Sequence, residues 1–263
     1  MKRRNRPFMI VLIALVVLVL WVAFCGFWWG WGPFAKLHAV RTASHPGNAP
    51  QYGLKNVQKR EDSPLEGKRI LFLGSSITYG TASGGVSFAD YIGARNGCTV
   101  IKRALSGTTL ADDGFLSYVP RLKQVSRKRQ VDLFVCQLST NDAWKNKPLG
   151  TVSTSDVYDT STVAGAIEYI IRYAQETWGC PVVFYTNPPF DDARYGEMVG
   201  LLHEIAQKWD VTVIDMWNDE AFDRITAEQR DLYMADQSHP TQAGYLLWWT
   251  PYMEPYLCTA LKD

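Results

Sequence analysis

The sequence has few of the residues that usually hold metals or build disulfide scaffolds. Five cysteines and four histidines occur among 263 residues, with no Cys-x-x-Cys pair and no histidine at zinc-finger spacing. These absences argue against a structural metal site and against a disulfide-stabilised small fold. Cys98, Cys180 and Cys258 could still pair outside the cell, and the sequence leaves their pairing open.

An excess of charge of either sign is also lacking. Lys and Arg together number 27 and Asp and Glu together 26, which gives a formal net charge of +1. A nucleic-acid-binding protein usually carries an extended basic face, so we expect no nucleic-acid partner. Hydrophobic residues make up 47% of the chain, which is enough to build the core of one sizeable domain.

Charged residues are absent between Pro7 and Ala35, and an uninterrupted apolar run extends from Phe8 to Phe27. A helix of this length spans about 30 Å, the thickness of the hydrocarbon core of a bilayer. We therefore predict a transmembrane anchor over residues 8–32, through which the protein contacts a membrane. Indole rings prefer the membrane interface, and four tryptophans collect toward the far end of the run: Trp21, Trp28, Trp29 and Trp31.

The residues before this run predict its orientation. Segment 1–7 carries Lys2, Arg3, Arg4 and Arg6, which the positive-inside rule keeps in the cytoplasm. A single-pass anchor would then place the rest of the chain outside the cell. The alternative is a cleaved signal peptide. The apolar run exceeds the usual length of about 7 to 15 residues and no small-x-small cleavage site closes it, which favours an uncleaved anchor.

Residues 33–66 contain several prolines and charged residues and lack a sustained apolar period, so we predict a stem that joins membrane and domain. Residues 67–263 form the predicted folded domain. There, short apolar runs alternate with stretches of helical spacing, which favours an open parallel sheet covered by helices on both faces. The predicted strands are 69–74, 99–104, 132–138, 181–187 and 211–217, and the helical stretches are 88–96, 116–126, 163–178 and 195–209.

In such a sheet the functional residues lie where the strands end. Ser76 follows the first strand, where a serine on a tight turn can act as a nucleophile, although such turns also bind phosphate. Gly107 and Asn141 follow the second and third strands. Their N–H groups, with that of Ser76 itself, suit an oxyanion hole, whereas a turn glycine and a helix cap are the simpler interpretations of each alone.

A nucleophilic serine needs a base, and His239 is the strongest candidate among the four histidines. Asp236 precedes it by three residues and could accept the hydrogen bond from its Nδ1 atom, which leaves Nε2 free to take the serine proton. His38 and His45 fall in the predicted stem, and His203 lies within an amphipathic stretch where a solvated or packing role is expected.

These residues occur in four ordered blocks, and at this point the sequence resembles the SGNH/GDSL hydrolase family over about residues 68–250. The matching blocks are FLGSSITYG with Ser76, the turn with Gly107, STND with Asn141, and DQSHPTQAGY with Asp236 and His239. The resemblance implies a flavodoxin-like three-layer α/β/α sandwich and no cofactor. Ser75 and Ser139 depart from the usual pattern, but neither position carries an assigned proton-transfer or oxyanion role.

The resulting hypothesis is an extracytoplasmic, membrane-anchored serine esterase that uses a Ser76–His239–Asp236 triad. We expect short acyl groups, acetyl foremost, on a small-molecule or polysaccharide ester, since many compact members of the family act on carbohydrates. A lysophospholipase or lipase, an O-acyltransferase with the same triad, and a catalytically silent glycan-binding module are the alternatives. Aromatic residues at helical spacing after His239 favour core packing over a sugar-stacking surface: Tyr245, Trp248, Trp249, Tyr252 and Tyr256.

Overall fold

A five-stranded parallel sheet forms the centre of the domain. The computed structural model describes residues 6–29, 34, 38 and 41–261. The strands lie in the order β2-β1-β3-β4-β5, so β2 and β5 are the two edges. Their bounds are Arg69–Gly74 (β1), Thr99–Ala104 (β2), Leu133–Gln137 (β3), Val182–Tyr185 (β4) and Thr212–Ile214 (β5).

Helices connect the strands, and most follow the amphipathic stretches of the sequence. The last helical stretch is continuous in space and contains a π-helical turn at Tyr245–Trp249. The helices are α1 Arg6–Trp29, α2 Ser76–Tyr79, α3 Phe88–Asn96, α4 Tyr118–Lys123, α5 Thr140–Trp144, α6 Val163–Trp178, α7 Ala193–Trp209, α8 Ala227–Tyr233, α9 Gln242–Gly244 and α10 Thr250–Ala260.

The core lies in two layers, one on each face of the sheet. Alternate residues of a strand point to opposite faces, so Leu71 and Leu73 pack with α4, α6 and α7. Ile70 and Phe72 instead pack with α3 and α10. Because both faces are covered, the strands read as nearly continuous apolar runs. The predicted three-layer α/β/α fold with a five-stranded parallel sheet is confirmed.

The N-terminal helix α1 stands outside this core. Its Phe8–Phe27 span has a mean hydropathy of 3.2 and is only 6% buried. By length and composition this helix could cross a membrane, and a signal sequence would meet the same criterion. Lys2, Arg3, Arg4 and Trp31 lie outside the described residues, as do the side chains of Arg6, Trp28 and Trp29.

Residues 41–66, which we predicted to be part of a stem, pack against the domain instead of forming an extended linker. Leu65 is fully buried, and the Tyr91 hydroxyl donates to the Tyr52 carbonyl oxygen at 2.6 Å. Gly47 lies so close to the domain that a Cβ there would stand 2.0 Å from the Leu232 carbonyl oxygen. The segment is built from 3₁₀ turns, two of which start at proline, and such turns have no helical or strand period in the sequence.

The aromatic residues that follow His239 form part of the core. Tyr245 and Trp249 are fully buried, and both pack against Phe88 of α3. For these two side chains, the interpretation as core packing therefore holds, and the sugar-stacking alternative does not. None of the five cysteines, all of which the structure describes, forms a disulfide bond.

Candidate active site

A tight turn at the end of β1 presents Ser76 at the carboxyl edge of the sheet. The turn requires glycine at position 74, because a Cβ there would lie 1.7 Å from the Thr78 hydroxyl oxygen. Ser76 is then the first residue of α2, which ends after one turn at Gly80 in the left-handed region (φ 86°). The serine is thus held between a buried strand and a short helix.

Gln137, the last residue of β3, supports this turn from below. Its Oε1 atom accepts hydrogen bonds from the Ser75 N–H at 2.9 Å and from the Thr78 hydroxyl at 2.8 Å. The Thr78 hydroxyl also contacts the Tyr185 hydroxyl at 2.6 Å. Ser75, which departs from the family pattern, is therefore fixed by a buried amide. Sequence reasoning missed Gln137, whose only signal is a polar residue at the end of an apolar run.

His239 lies beside Ser76, and Asp236 lies beside His239. The His239 Nε2 atom is 2.7 Å from Ser76 Oγ, and Nδ1 is 2.9 Å from each carboxylate oxygen of Asp236. A carboxylate only accepts hydrogen bonds, so Nδ1 is the donor to Asp236, and Nε2 is placed to take the proton of the serine hydroxyl. The structure thus brings the three predicted residues together in the arrangement that activates a serine.

Hydrogen bonds keep the Asp236 carboxylate ionised. Burial raises the pKa of Asp236, but the hydrogen bond from His239, the attraction of that ring and the backbone N–H groups of Ser238 and His239 together outweigh it. The pKa of Asp236 therefore lies well below its ordinary value. About half of the side chain is exposed, so hydrogen bonding controls the charge state more than burial does.

Gly107 lies on the loop that follows β2, and Asn141 lies in the first turn of α5, which follows β3. Gly107 has a φ of 76°, as expected for a turn glycine. Asn141 is not the helix cap that the simpler interpretation suggested. Ser139 is the N-cap of α5, and its side chain accepts from the Asn141 backbone N–H at 3.2 Å. The Asn141 side chain is free of that role and donates from Nδ2 to the Thr108 carbonyl oxygen at 3.0 Å.

Asp142 joins the two loops. Its carboxylate oxygens accept from the Leu110 and Ala111 N–H groups at 2.7 and 2.8 Å, so it ties the loop after Gly107 to α5. Complete burial raises the pKa of Asp142 to about 6, although these hydrogen bonds act in the opposite direction. The STND motif contains this residue, but only the fold shows which loop it holds.

The other three histidines make contacts away from Ser76. His45 accepts a hydrogen bond from the Gly47 N–H at 3.0 Å, and burial lowers its pKa. The His203 Nε2 atom lies 2.6 Å from a carboxylate oxygen of Asp215. His38 contacts two backbone carbonyl oxygens, those of Phe27 and Thr81. Among the described residues, no group of three or more His, Cys, Asp or Glu side chains could hold a metal ion.

A family comparison matches the part of the chain that contains all these loops. The model of the GDSL-like lipase/acylhydrolase family aligns with residues 72–247. The chain belongs to this family. The resemblance seen in the sequence is thereby confirmed, and GDSL-like members are acylhydrolases by family description. A comparison with curated proteins found no match.

Solved structures share the fold of this GDSL-like domain. A protein from Lactobacillus plantarum gives a TM-score of 0.61 at 19% identity and covers 74% of this chain and 98% of its own. The lipase/acylhydrolase from Enterococcus faecalis gives a TM-score of 0.51 at 21% identity and covers 73% of this chain and 96% of its own. A family two carbohydrate esterase from Clostridium thermocellum gives 0.51 at 17% identity, with 72% and 64% covered. At these identities the likeness establishes the fold.

Proposed function

We propose that this GDSL-like protein is a serine esterase in which Ser76 is the nucleophile, His239 the general base and Asp236 the residue that orients the base. The observation that carries this proposal is the 2.7 Å contact between Ser76 Oγ and His239 Nε2. A serine needs such a contact to lose its proton as it attacks. A protein that only bound glycans would have no use for a histidine oriented in this way.

The proposed reaction has two steps. Ser76 Oγ attacks the ester carbonyl carbon while its proton passes to His239 Nε2, and the carbonyl oxygen becomes an oxyanion. The N–H groups of Ser76 and Gly107 and the amide of Asn141 donate hydrogen bonds to that oxyanion. His239 returns the proton to the leaving alcohol oxygen as the carbon–oxygen bond breaks. Water then attacks the acyl-serine through the same base and releases the acid.

We propose that the acyl group is short, with acetyl foremost, and that the alcohol part is a carbohydrate or cell-surface glycan. Burial of the aromatic cluster after His239 supports the short acyl group. Tyr245, Trp249 and Met253 are fully buried in the core, so these three side chains cannot line a long acyl groove at the surface. The structural likeness to a carbohydrate esterase supports the alcohol part.

The proposed location is the outer face of a membrane, with residues 8–32 as an uncleaved anchor and residues 1–7 in the cytoplasm. The exposure of the Phe8–Phe27 span supports an anchor, because this apolar helix is not covered by the domain. An exposed apolar helix of this length is stable in lipid and is unfavourable in water.

A fluorophosphonate probe tests the nucleophile. We expect the probe to label the wild-type chain and to leave Ser76→Ala unlabelled. The control is Ser126→Ala, which removes an exposed serine between α4 and β3 and should still be labelled. Labelling of Ser76→Ala at the wild-type rate, or no labelling of the wild type, would contradict the proposal and favour a silent binding module.

A series of p-nitrophenyl esters tests the acyl group. Rate constants that fall from acetate to octanoate are expected, whereas a rise toward palmitate would favour the lipase alternative. Transfer of acetate to an added sugar in preference to water would favour an O-acyltransferase.

A further inference from the structure

The chain enters the folded domain at the carboxyl ends of the strands, which we call the carboxyl edge and where Ser76 lies. The His38 ring connects the two parts. Its Nδ1 atom lies 3.2 Å from the Phe27 carbonyl oxygen near the end of α1, and its Nε2 atom lies 3.2 Å from the Thr81 carbonyl oxygen. Thr81 belongs to the turn that follows α2. A single side chain therefore separates the end of the apolar helix from the loop next to the nucleophile.

Asn48 lies at the same end of the strands. Asn48 donates to the Ala82 carbonyl oxygen at 2.7 Å and accepts from the Gln242 N–H at 2.8 Å, just beyond His239. The segment later reaches the amino ends of the strands, where the Arg60 N–H donates to the Arg95 carbonyl oxygen at the end of α3. The carboxyl edge of the sheet is thus the side of the domain nearest to α1.

Exposed apolar side chains are concentrated at this end of the strands. Leu105, Phe115, Leu116 and Trp144, which we call the apolar rim, have exposed fractions from 38% to 75%. They follow β2 and β3, as Gly107 and Asn141 do. Large exposed apolar side chains grouped around one edge usually mark a binding surface, and tryptophan is enriched where proteins meet the membrane interface.

The loops of the apolar rim are tied to one another and to the entry segment. Lys145, next to Trp144, donates from Nζ to the Gly107 carbonyl oxygen at 3.2 Å and pairs with Asp113 at 3.3 Å. The Thr81 and Ser106 hydroxyls form a hydrogen bond, which joins the loop of Leu105 to the turn that holds His38. The apolar rim and the end of α1 are therefore parts of one connected surface.

We propose that the apolar rim docks on the lipid surface of the membrane that α1 crosses, so that the end of the sheet that carries Ser76 faces the bilayer. Only 11 residues separate Trp29 from Arg41, so the domain cannot move more than about 40 Å from the end of α1. The occupant of the apolar rim is the phospholipid surface itself. As regards substrate, the inference rests on the proposed esterase function: the ester is carried at headgroup level by a molecule anchored in the same membrane.

Photocrosslinking tests the docking without any need for activity. The full chain is reconstituted in nanodiscs of phosphatidylethanolamine and phosphatidylglycerol, with p-benzoylphenylalanine at position 115, 144 or 157. Val157 is the matched control, because it is apolar and 80% exposed but lies next to Tyr158, which packs against Trp209 at the end of α7. We expect crosslinks to lipid from positions 115 and 144 and none above background from 157. Equal crosslinking at all three positions would overturn the proposal.

A second measurement tests the link to substrate. The measured quantity is the ratio of turnover on hexadecyl acetate in the nanodisc to turnover on soluble p-nitrophenyl acetate. We expect Phe115→Ser to lower this ratio about tenfold or more, because the variant loses one phenyl ring that would be buried in lipid. Val157→Ser should leave the ratio unchanged, and an unchanged ratio in Phe115→Ser would contradict the substrate inference. Crosslinks from position 115 in a chain that hydrolyses neither ester would refute the esterase and retain the docking. Hydrolysis of the soluble ester without those crosslinks would refute the docking and retain the esterase.

Discussion

The Nε2 atom of His239 lies 2.7 Å from the Oγ atom of Ser76, although the two residues are 163 positions apart in the chain. The contact arises because Ser76 follows β1 and His239 follows β5, and parallel strands end at the same edge of the sheet. The fold thus brings His239 to Ser76 without any local sequence connection between them.

Removal of either partner should abolish most of the turnover. We expect Ser76→Ala and His239→Ala each to lose roughly 10⁴-fold or more in kcat on p-nitrophenyl acetate, because nucleophile and base act as a unit. Asp236→Asn should lose less, since the serine and its base both remain. Circular dichroism of the purified variants checks that the domain is folded.

The matched control for this prediction is His203→Ala. His203 also forms a close pair with a carboxylate, that of Asp215 at 2.6 Å, but the pair contains no serine. This variant should keep the wild-type kcat. A folded His239→Ala protein with near-normal turnover would remove the mechanism.

Loss of the Asn141 amide should slow the chemical step specifically. We expect Asn141→Ala to lower kcat about 10²- to 10³-fold, the usual effect of removing one oxyanion donor. KM should change little, because the donor acts on the charge that develops in the transition state. A steady-state analysis separates the two parameters. A rise in KM at constant kcat would instead assign Asn141 to ground-state binding.

Asp142 should make the stability of the domain depend on pH. Burial raises its pKa from 3.8 to about 6 in the folded state. Between these pH values the folded chain holds a proton that the unfolded chain has released. The contribution of Asp142 to the free energy of unfolding is therefore largest at acidic pH and falls as the pH rises toward 6. The full change corresponds to about 3 kcal/mol.

Asp142→Asn cannot titrate, and it provides the reference for this effect. The Tm of the wild type relative to the Asp142→Asn chain, both in the same detergent, should fall between pH 4 and pH 6 and stay level above that window. A constant difference in Tm over the whole range would show that Asp142 is ionised throughout.

Protease protection tests the orientation of the anchor. Intact cells treated with an external protease should lose the domain while residues 1–7 stay protected, because basic residues remain on the cytoplasmic side. Opening the cells should remove that protection. Recovery of a mature chain that starts between residues 25 and 45 would show a cleaved signal peptide instead.

The strands and the chemistry-bearing loops could be predicted from the sequence because their signals are local. RILFLG is apolar throughout, so its role as β1 follows from composition, and the length of α6 follows from the spacing of Val163, Ile167 and Ile170. The order of Ser76, Gly107, Asn141 and His239 along the chain then matches the order of strand ends.

The polar interior could not be predicted, because its contacts are distant in sequence. Gln137 is 62 residues from Ser75, and Asp142 is 32 residues from Leu110. A polar residue carries no periodic signal that names its partner. The packing of residues 41–66 was missed for a related reason: proline-led turns fix the backbone without producing an apolar pattern, so burial of Leu65 shows only in the fold.

The packed segment 41–66 also determines where the folded domain can be separated from the apolar helix α1 for study in solution. A chain cut at residue 67, the boundary that hydrophobic patterning suggests, would lose Leu65 from the core and uncover the surface that Gly47 closes against Leu232. The newly exposed apolar area would favour aggregation. A soluble version should therefore begin before Arg41, so that residues 41–66 are retained as part of the folded domain.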